Sequence, residues 1–512
     1  MENLVSITYT SEPEGIDSRI IRVEMSMKRG IPRFGIVGLA QGSTREATER
    51  VRIGLENSNF QFPLQNIIVN LSPAGFKKDT SSFDLAIAAG VLFLTGQLPD
   101  KLDITKVLFL GEIGLDGSVK PIKGLSNILL SPLSKSFQSI IIPLENKSES
   151  MIAENLLVYP ISHISELIKI FSGETKGLIF THIYSPLKNK PEGNIEIYQD
   201  QLIGLRSLVI ALAGNHHILF MGSPGGGKTM LAELAKEFLP PLTKKEFEEV
   251  IKIKSISEFI HEETIQNIKR PFRSPHHTSS DISIVGGGKK SRIGEVTLSH
   301  NGVLFLDELG EFDPRVIQAL REPLESGQVT ISRVEYHLTY PASFLLIAAS
   351  NPCPCGYKNN TQVNCNCSEA KIQKYISRLS GPFMDRMDLI VSIEPFQNSK
   401  RKKVLISKKE LFENILSARE IQEKRYIEIN SKLNGTLKVK NIEKVVKLND
   451  DSIKLLETYN SNYLFSLRRI YKTIKISRTI ADLEGSEEVT EKHLLEAIHY
   501  LPGIYKPHLK AA

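Results

Sequence analysis

Gly222-Ser223-Pro224-Gly225-Gly226-Gly227-Lys228-Thr229 decides the fold of the central part of this chain. It fits G-x-x-x-x-G-K-S/T at every fixed position. Its flanks fit too. The apolar run His217 to Met221 precedes it, and LAELAKEFL, Leu231 to Leu239, follows with helical spacing. Glycines let successive backbone N–H groups turn inward around an anion. The following helix offers its N-terminus to the same charge. Lys228 suits the β and γ phosphates of a nucleotide, and the Thr229 hydroxyl suits Mg²⁺. Nucleotide contacts are expected from Gly222, Ser223, Pro224, Gly225, Gly226, Gly227, Lys228, Thr229 and Met230.

Such a site needs an acid at the end of a second strand. Gly302-Val-Leu-Phe-Leu-Asp307-Glu308 supplies two, with Asp307 lying 78 positions after Thr229. Asp307 is expected to hold the Mg²⁺ shell, and Glu308 to polarise water as a general base. A third apolar run, Ser343 to Ser350, ends in Asn351. An amide there either reads the γ-phosphate or starts the turn before Pro352.

Outward from this core the text changes twice. Before it, FDLAIAAGVLFLTG, Phe83 to Gly96, predicts a buried helix ended by Gly96. STREATERVRIGLENS, Ser43 to Ser58, predicts another, with Ser43 as N-cap. VLFLGEIGLDGSVKPIKG, Val107 to Gly124, predicts two strands around Asp116-Gly117. SIIIP (139–143) and LLVYP (156–160) are further β-like runs, and YSPLKNKPEGN (184–194) predicts a linker. After Lys400, Lys, Glu, Leu and Ile at helical spacing predict a helical domain.

The chain has 512 residues, 41% hydrophobic and 24% charged, enough apolar material for several cores. Disorder as the main state is excluded, and four Cys are too few for a secreted disulfide scaffold. Net charge is +6, which permits nucleic-acid contact without establishing it. The most apolar stretch, Leu85 to Leu94, is about half the ~20 residues of a bilayer helix. The N-terminus lacks the pattern of a signal peptide. A cytoplasmic location and no membrane partner are expected.

All four cysteines sit together, as Cys353-Pro-Cys355 and Cys365-Asn-Cys367. Four thiolates suit a closed tetrahedral Zn²⁺ site, although C-x-C is tighter than the usual ligand spacing. Free thiols or redox-labile pairs are the alternatives.

Several longer strings are idiosyncratic. They are RPFRSPHHTSSDISIVGGG (270–288), GEVTLSHNGVLFLDELGEF (294–312), ALREPLESGQVTISR (319–333), ASNPCPCG (349–356), LSGPFMDRMDL (379–389) and SRTIADLEG (477–485). Together they resemble the YifB/ComM family of magnesium-chelatase-like AAA+ ATPases. The resemblance implies an α/β fold class. A Lon-protease-like α+β domain spans 1–172 and a linker 173–194. An AAA+ core with a parallel sheet flanked by helices spans 195–400, and a C-terminal helical lid 401–512.

It implies that Asn351 is sensor 1. Arg386 is the arginine finger into a neighbouring subunit, with Arg378 as rival. Arg468 is the sensor 2 arginine, with Arg469 as rival. A site shared between subunits implies a homo-hexameric ring, assembled on nucleotide or DNA. The cofactors implied are ATP and Mg²⁺, with Zn²⁺ for the Cys loop. An insert carrying Arg270, Arg273, His276 and His277, and a hairpin over Gly327 to Tyr340, are expected near the pore. Lys289, Lys290, Arg292 and Arg333 are candidates for sequence-nonspecific DNA contacts.

The family's best-understood role is branch migration, as a helicase, when donor DNA integrates in natural transformation. A magnesium-chelatase-type subunit and a nucleotide-gated scaffold are the alternatives. In the Lon-like region, alignment of the protease motif with Lys78 to Asp84 puts Ser82 at the nucleophile. GLSNILL, where the Lys is expected, offers no base, so a non-proteolytic domain is expected.

Overall fold

In the computed structural model the apolar runs sort into two sheets. It describes all residues except 1–3, 38–40, 74–80, 181–183, 185–189, 289–291, 334–335, 359, 361–362, 380, 394–401, 430, 464–465 and 502–512. Two compact units result. The first takes in Met1–Leu187, Thr243–Lys269 and Thr330–Tyr340, and the second Lys188–Leu242, Arg270–Val329 and Pro341–Ala512.

The first unit is built on a mixed eight-stranded sheet. Its order is Leu178–Ile179, Leu157–Ile161, Ser139–Pro143, Val107–Phe109, Leu4–Glu14, Asp17–Lys28, Asn66–Ser72, Arg33–Val37. The helix Asp84–Leu94 is apolar on nearly every face and buried almost throughout, as a helix without an amphipathic stripe must be. Its one acid, Asp84, accepts from Arg50 Nε (2.8 Å) and Nη2 (3.3 Å) on the helix Gln41–Asn57. Burial pushes the Asp84 carboxyl up to about 6 against the pull of Arg50. Ser43 lies inside that helix rather than at its N-cap, because the helix begins at Gln41.

The Asp116-Gly117 turn is present, but it joins only Glu112–Ile113 to Val119–Lys120. Val107–Phe109 runs in the large sheet instead, parallel to Leu4–Glu14 and Ser139–Pro143. Ser82 is buried in the turn before the Asp84 helix. Lys78, Asp79 and Thr80 lie outside the described residues.

The helix Lys244–Ser257 follows the phosphate loop in sequence yet belongs to the first unit. Thr243 and Glu246 close its start as a reciprocal capping box. Near its end, Ser255 donates to the buried Glu149. Glu149 also accepts from the Ser126 amide (2.8 Å) and hydroxyl (2.7 Å) and from Asn146 Nδ2 (3.2 Å). A buried carboxylate is tolerated only with such a shell.

The second unit holds a five-stranded, wholly parallel sheet. Its order is Phe272–Arg273, Val303–Leu306, Leu345–Ser350, Ile218–Gly222, Leu389–Ile393. The apolar strands and their helices form one core. The region after Lys400 opens with a strand, Lys403–Ser407, antiparallel to Asn194–Tyr198. Helices follow, the longest being Lys408–Arg425 and Leu467–Leu483. No helix among the described residues is long and apolar enough to cross a membrane.

A buried polar network explains the SRTIADLEG string. Asp482 accepts from Arg425, Arg478 and Asn434. Arg478 also reaches the Glu487 carbonyl (2.6 Å) and that of Ser486. Asn434 and His216 both meet the Thr479 hydroxyl, at 2.9 and 2.7 Å.

His216 is fully buried. Burial, helped by Lys475, His217 and Lys472, outweighs Asp388 and lowers its pKa from 6.5 to about 4. The unfolded chain takes up that proton near 6.5 and the folded chain only near 4. The stability it carries is therefore complete above about pH 6.5 and lost as pH falls towards 4, on the order of 3 kcal/mol. Urea midpoints measured across this window should fall, and His216→Gln should flatten the fall. An equal slope in the variant would remove His216 as its cause.

Candidate nucleotide-binding site

Parallel sheets gather ligands at the carboxyl ends of their strands. At that edge the strand Ile218–Gly222 turns into the loop 223–227 and then the helix Lys228–Phe238. Two glycines are required by contact. A Cβ on Gly222 would sit 2.0 Å from the Ile393 carbonyl oxygen. Gly227 has φ +87°, and a Cβ there would sit 2.4 Å from Gln201 Nε2. Gln201 is buried and donates to the Gly226 carbonyl (3.3 Å), bracing the loop from behind. No motif marks Gln201 in the sequence.

Lys228 is 8% exposed. Its Nζ donates to the Gly222 carbonyl (2.7 Å), the Ser223 carbonyl (2.9 Å) and Asn351 Oδ1 (3.2 Å). Burial lowers its pKa, partly offset by Asp307 and Glu308. The Thr229 hydroxyl donates to Asp307 Oδ2 at 2.8 Å. Thus Lys228 and Asn351 meet, as do Thr229 and Asp307. A hydroxyl and a carboxylate are hard oxygen donors, the set that Mg²⁺ takes beside a nucleotide's phosphates. Met230 follows in the first turn of the helix and is 40% exposed.

Glu308 has a left-handed backbone, φ +51°. Its carboxylate lies 3.3 Å from His277 Nδ1. His277 stacks on His276, with ring centroids 4.2 Å apart. Arg273 is bound by both nitrogens to Glu295, at 2.6 and 2.9 Å. Arg270 donates to the carbonyls of Pro240, Asn301 and Pro241. Both hold their own chain together. Arg292 is exposed, while Lys289 and Lys290 lie outside the described residues, as does the side chain of Arg333.

The structure does not bring Arg386 to its own phosphate loop. Its side chain is 10% exposed, and the guanidinium pairs with Glu325 and donates to the carbonyls of Arg321 (3.1 Å) and Pro382 (2.6 Å). Arg378 donates to the Gly310 carbonyl. Arg468 is exposed in the first turn of Leu467–Leu483. One turn on, Lys472 pairs with Asp388 (3.2 Å) and donates to the carbonyls of Asp385 and Met387.

The sulfurs of Cys353, Cys355, Cys365 and Cys367 all lie within 4.8 Å of one another. None of the four is in a disulfide, and Cys353 is buried.

Three family descriptions match the chain in succession. "Subunit ChlI of Mg-chelatase" covers residues 23–146, "Magnesium chelatase, subunit ChlI" 196–401, and "Magnesium chelatase, subunit ChlI C-terminal" 406–501. The chain is 36% identical over 506 residues to "Competence protein ComM" of Haemophilus influenzae, covering 97% of each. It is 35% identical over 503 residues to YifB of Escherichia coli, again 97% of each. This chain belongs to the YifB/ComM family. The chain is also similar to the magnesium-chelatase subunit ChlI of Euglena gracilis, 21% over 307 residues, but that covers only 55% of it. YifB/ComM membership makes the phosphate loop that of an AAA+ ATPase, and the parallel sheet its core.

For the YifB/ComM loop, Gly227→Ala should weaken binding of a fluorescent ATP analogue with Mg²⁺ at least about tenfold, through a left-handed strain of about 1–2 kcal/mol and the displaced Gln201. An unchanged titration would show that the loop keeps its shape without that brace.

Proposed function

We propose that this chain is an ATP-hydrolysing AAA+ ring motor that acts on DNA, in the manner of a branch-migration helicase during recombination or transformation. One observation carries the ATPase part: Lys228 and Thr229 are bonded directly to Asn351 and Asp307 across three neighbouring strand ends. Lys228 binds the β and γ phosphates. Thr229 and Asp307 would hold Mg²⁺, which would supply charge neutralisation for the phosphates. Glu308, released from His277, orients and deprotonates the attacking water. Asn351 reads the γ-phosphate as sensor 1.

The ring part rests on Arg386 and Arg468. Arg386, freed from Glu325, serves a neighbouring subunit's site, and Arg468 serves its own as sensor 2. A homo-hexamer results, formed with nucleotide or DNA. DNA as the substrate is supported by near full-length similarity to a competence protein and by the +6 charge. Arg292 is exposed for phosphate contacts. The family's domain division, with a non-proteolytic Lon-like 1–172, a linker 173–194, an ATPase core 195–400 and a lid 401–512, is adopted for the same reading. The Cys cluster takes Zn²⁺. A magnesium-chelatase-type subunit is the second reading, favoured by the ChlI family descriptions.

ATPase assays of the purified protein with and without branched DNA test the motor. Stimulation by DNA is expected, abolished by Lys228→Ala and Glu308→Gln. No stimulation by any DNA would leave a scaffold or the chelatase reading. Mixing Arg386→Ala with Glu308→Gln subunits should restore some activity, since a shared site can draw one intact residue from each. Complete failure would count against Arg386 acting across an interface.

A further inference from the structure

Three of the four sulfurs already have the spacing of one face of a tetrahedral site, and Cys367 Sγ lies within 4.8 Å of each of them. Cys353–Cys355, Cys353–Cys365 and Cys355–Cys365 are 3.4, 3.7 and 3.5 Å apart. Four sulfurs around Zn²⁺ at its usual bond length have edges of ~3.8 Å. Each sulfur also receives a backbone amide. Lys358 N–H donates to Cys353 (3.3 Å), and the amides of Tyr357, Cys367 and Cys355 serve Cys355, Cys365 and Cys367. Such donors orient thiolate ligands and fix a metal's surroundings. Crowding four thiolates without a cation would be repulsive.

The same loop leans on the phosphate loop. Gly356, φ +83°, packs so closely that a Cβ would sit 2.5 Å from Pro224 Cδ. Asn360, between the two Cys pairs, donates to Ser223 Oγ (3.4 Å) while its Oδ1 accepts from the Val363 amide (3.0 Å). Cys353 itself stands two residues after Asn351, the partner of Lys228.

We infer that Cys353, Cys355, Cys365 and Cys367 form a closed Zn²⁺ site whose occupancy holds Ser223 and Pro224 in the shape that accepts a nucleotide's phosphates. The coupling rests on the ATPase reading above, whereas the metal site does not. The metal does no chemistry; it is a positioning group for the phosphate loop.

The full-length protein, gel-filtered and analysed for metal, should carry about one zinc per chain. Replacement by Co²⁺ should give the visible bands of a tetrahedral thiolate complex. Chelation should weaken binding of the fluorescent ATP analogue at least about tenfold, raising KM more than it lowers kcat, with the circular dichroism spectrum kept. Added Zn²⁺ should restore it. Cys367→Ser should lose metal and nucleotide together. Asn360→Ala should keep the metal yet bind nucleotide more weakly, a split that a metal serving only to staple the fold would not give. Lys228→Ala should lose nucleotide and keep zinc.

Protein without metal would overturn the proposal, as would zinc whose removal leaves nucleotide affinity unchanged. Zinc-loaded wild type that binds no nucleotide would sink the ATPase reading and the coupling, and leave the metal site standing.

Discussion

A lysine ammonium almost wholly withdrawn from water must be surrounded by oxygen. Lys228 meets that demand with two carbonyls of its own loop and one amide oxygen from the neighbouring strand. The loop carbonyls are available only because the chain turns tightly at Gly225 and Gly227, both with positive φ. The amide is available only because Leu345–Ser350 lies parallel beside Ile218–Gly222, in register from Ile218 with Ile347. The sheet order, the glycines and Asn351 are thus conditions on one charge. A polyanion arriving at the loop would take over the role of those oxygens.

The parts of this arrangement that were legible in the sequence are those whose chemistry is local. A phosphate loop is eight consecutive residues, and Asp307-Glu308 follow their apolar run directly. Asn351 stood open between a reader of phosphate and the start of a turn; in the fold it bonds Lys228. What stayed hidden depends on distant partners. Arg270 and Arg273 look free in a string of letters, but three carbonyls and Glu295 absorb them. His277 carries no mark that it faces Glu308. Gln201 is an ordinary polar residue until Gly226 is seen beside it. The strand Lys403–Ser407 sits in a stretch whose composition predicts helix, because its partner, Asn194–Tyr198, lies far away in sequence.

Two of the charged side chains given roles in the proposal are already engaged within the chain. Glu308 is held by a histidine, and Arg386 by a carboxylate and two carbonyls. In the proposed mechanism each of these bonds would have to break before its side chain could serve a nucleotide. The Glu308–His277 pair is the more exposed of the two, and exposed pairs are typically worth up to about 1 kcal/mol, so it would exchange more readily than the largely buried Arg386.

The helix Lys244–Ser257 limits how modular the molecule is. Its sequence neighbours belong to the ATPase core, but its apolar residues Phe247, Val250 and Ile251 are buried in the other unit, where Glu149 grips its end. Excising everything before Lys188 would not liberate a self-sufficient engine. It would strip that helix of its bed and bare a greasy stripe in the middle of the remaining polypeptide, inviting aggregation. Gene fusions or truncations that treat the two halves as interchangeable cassettes run against the way the backbone is threaded.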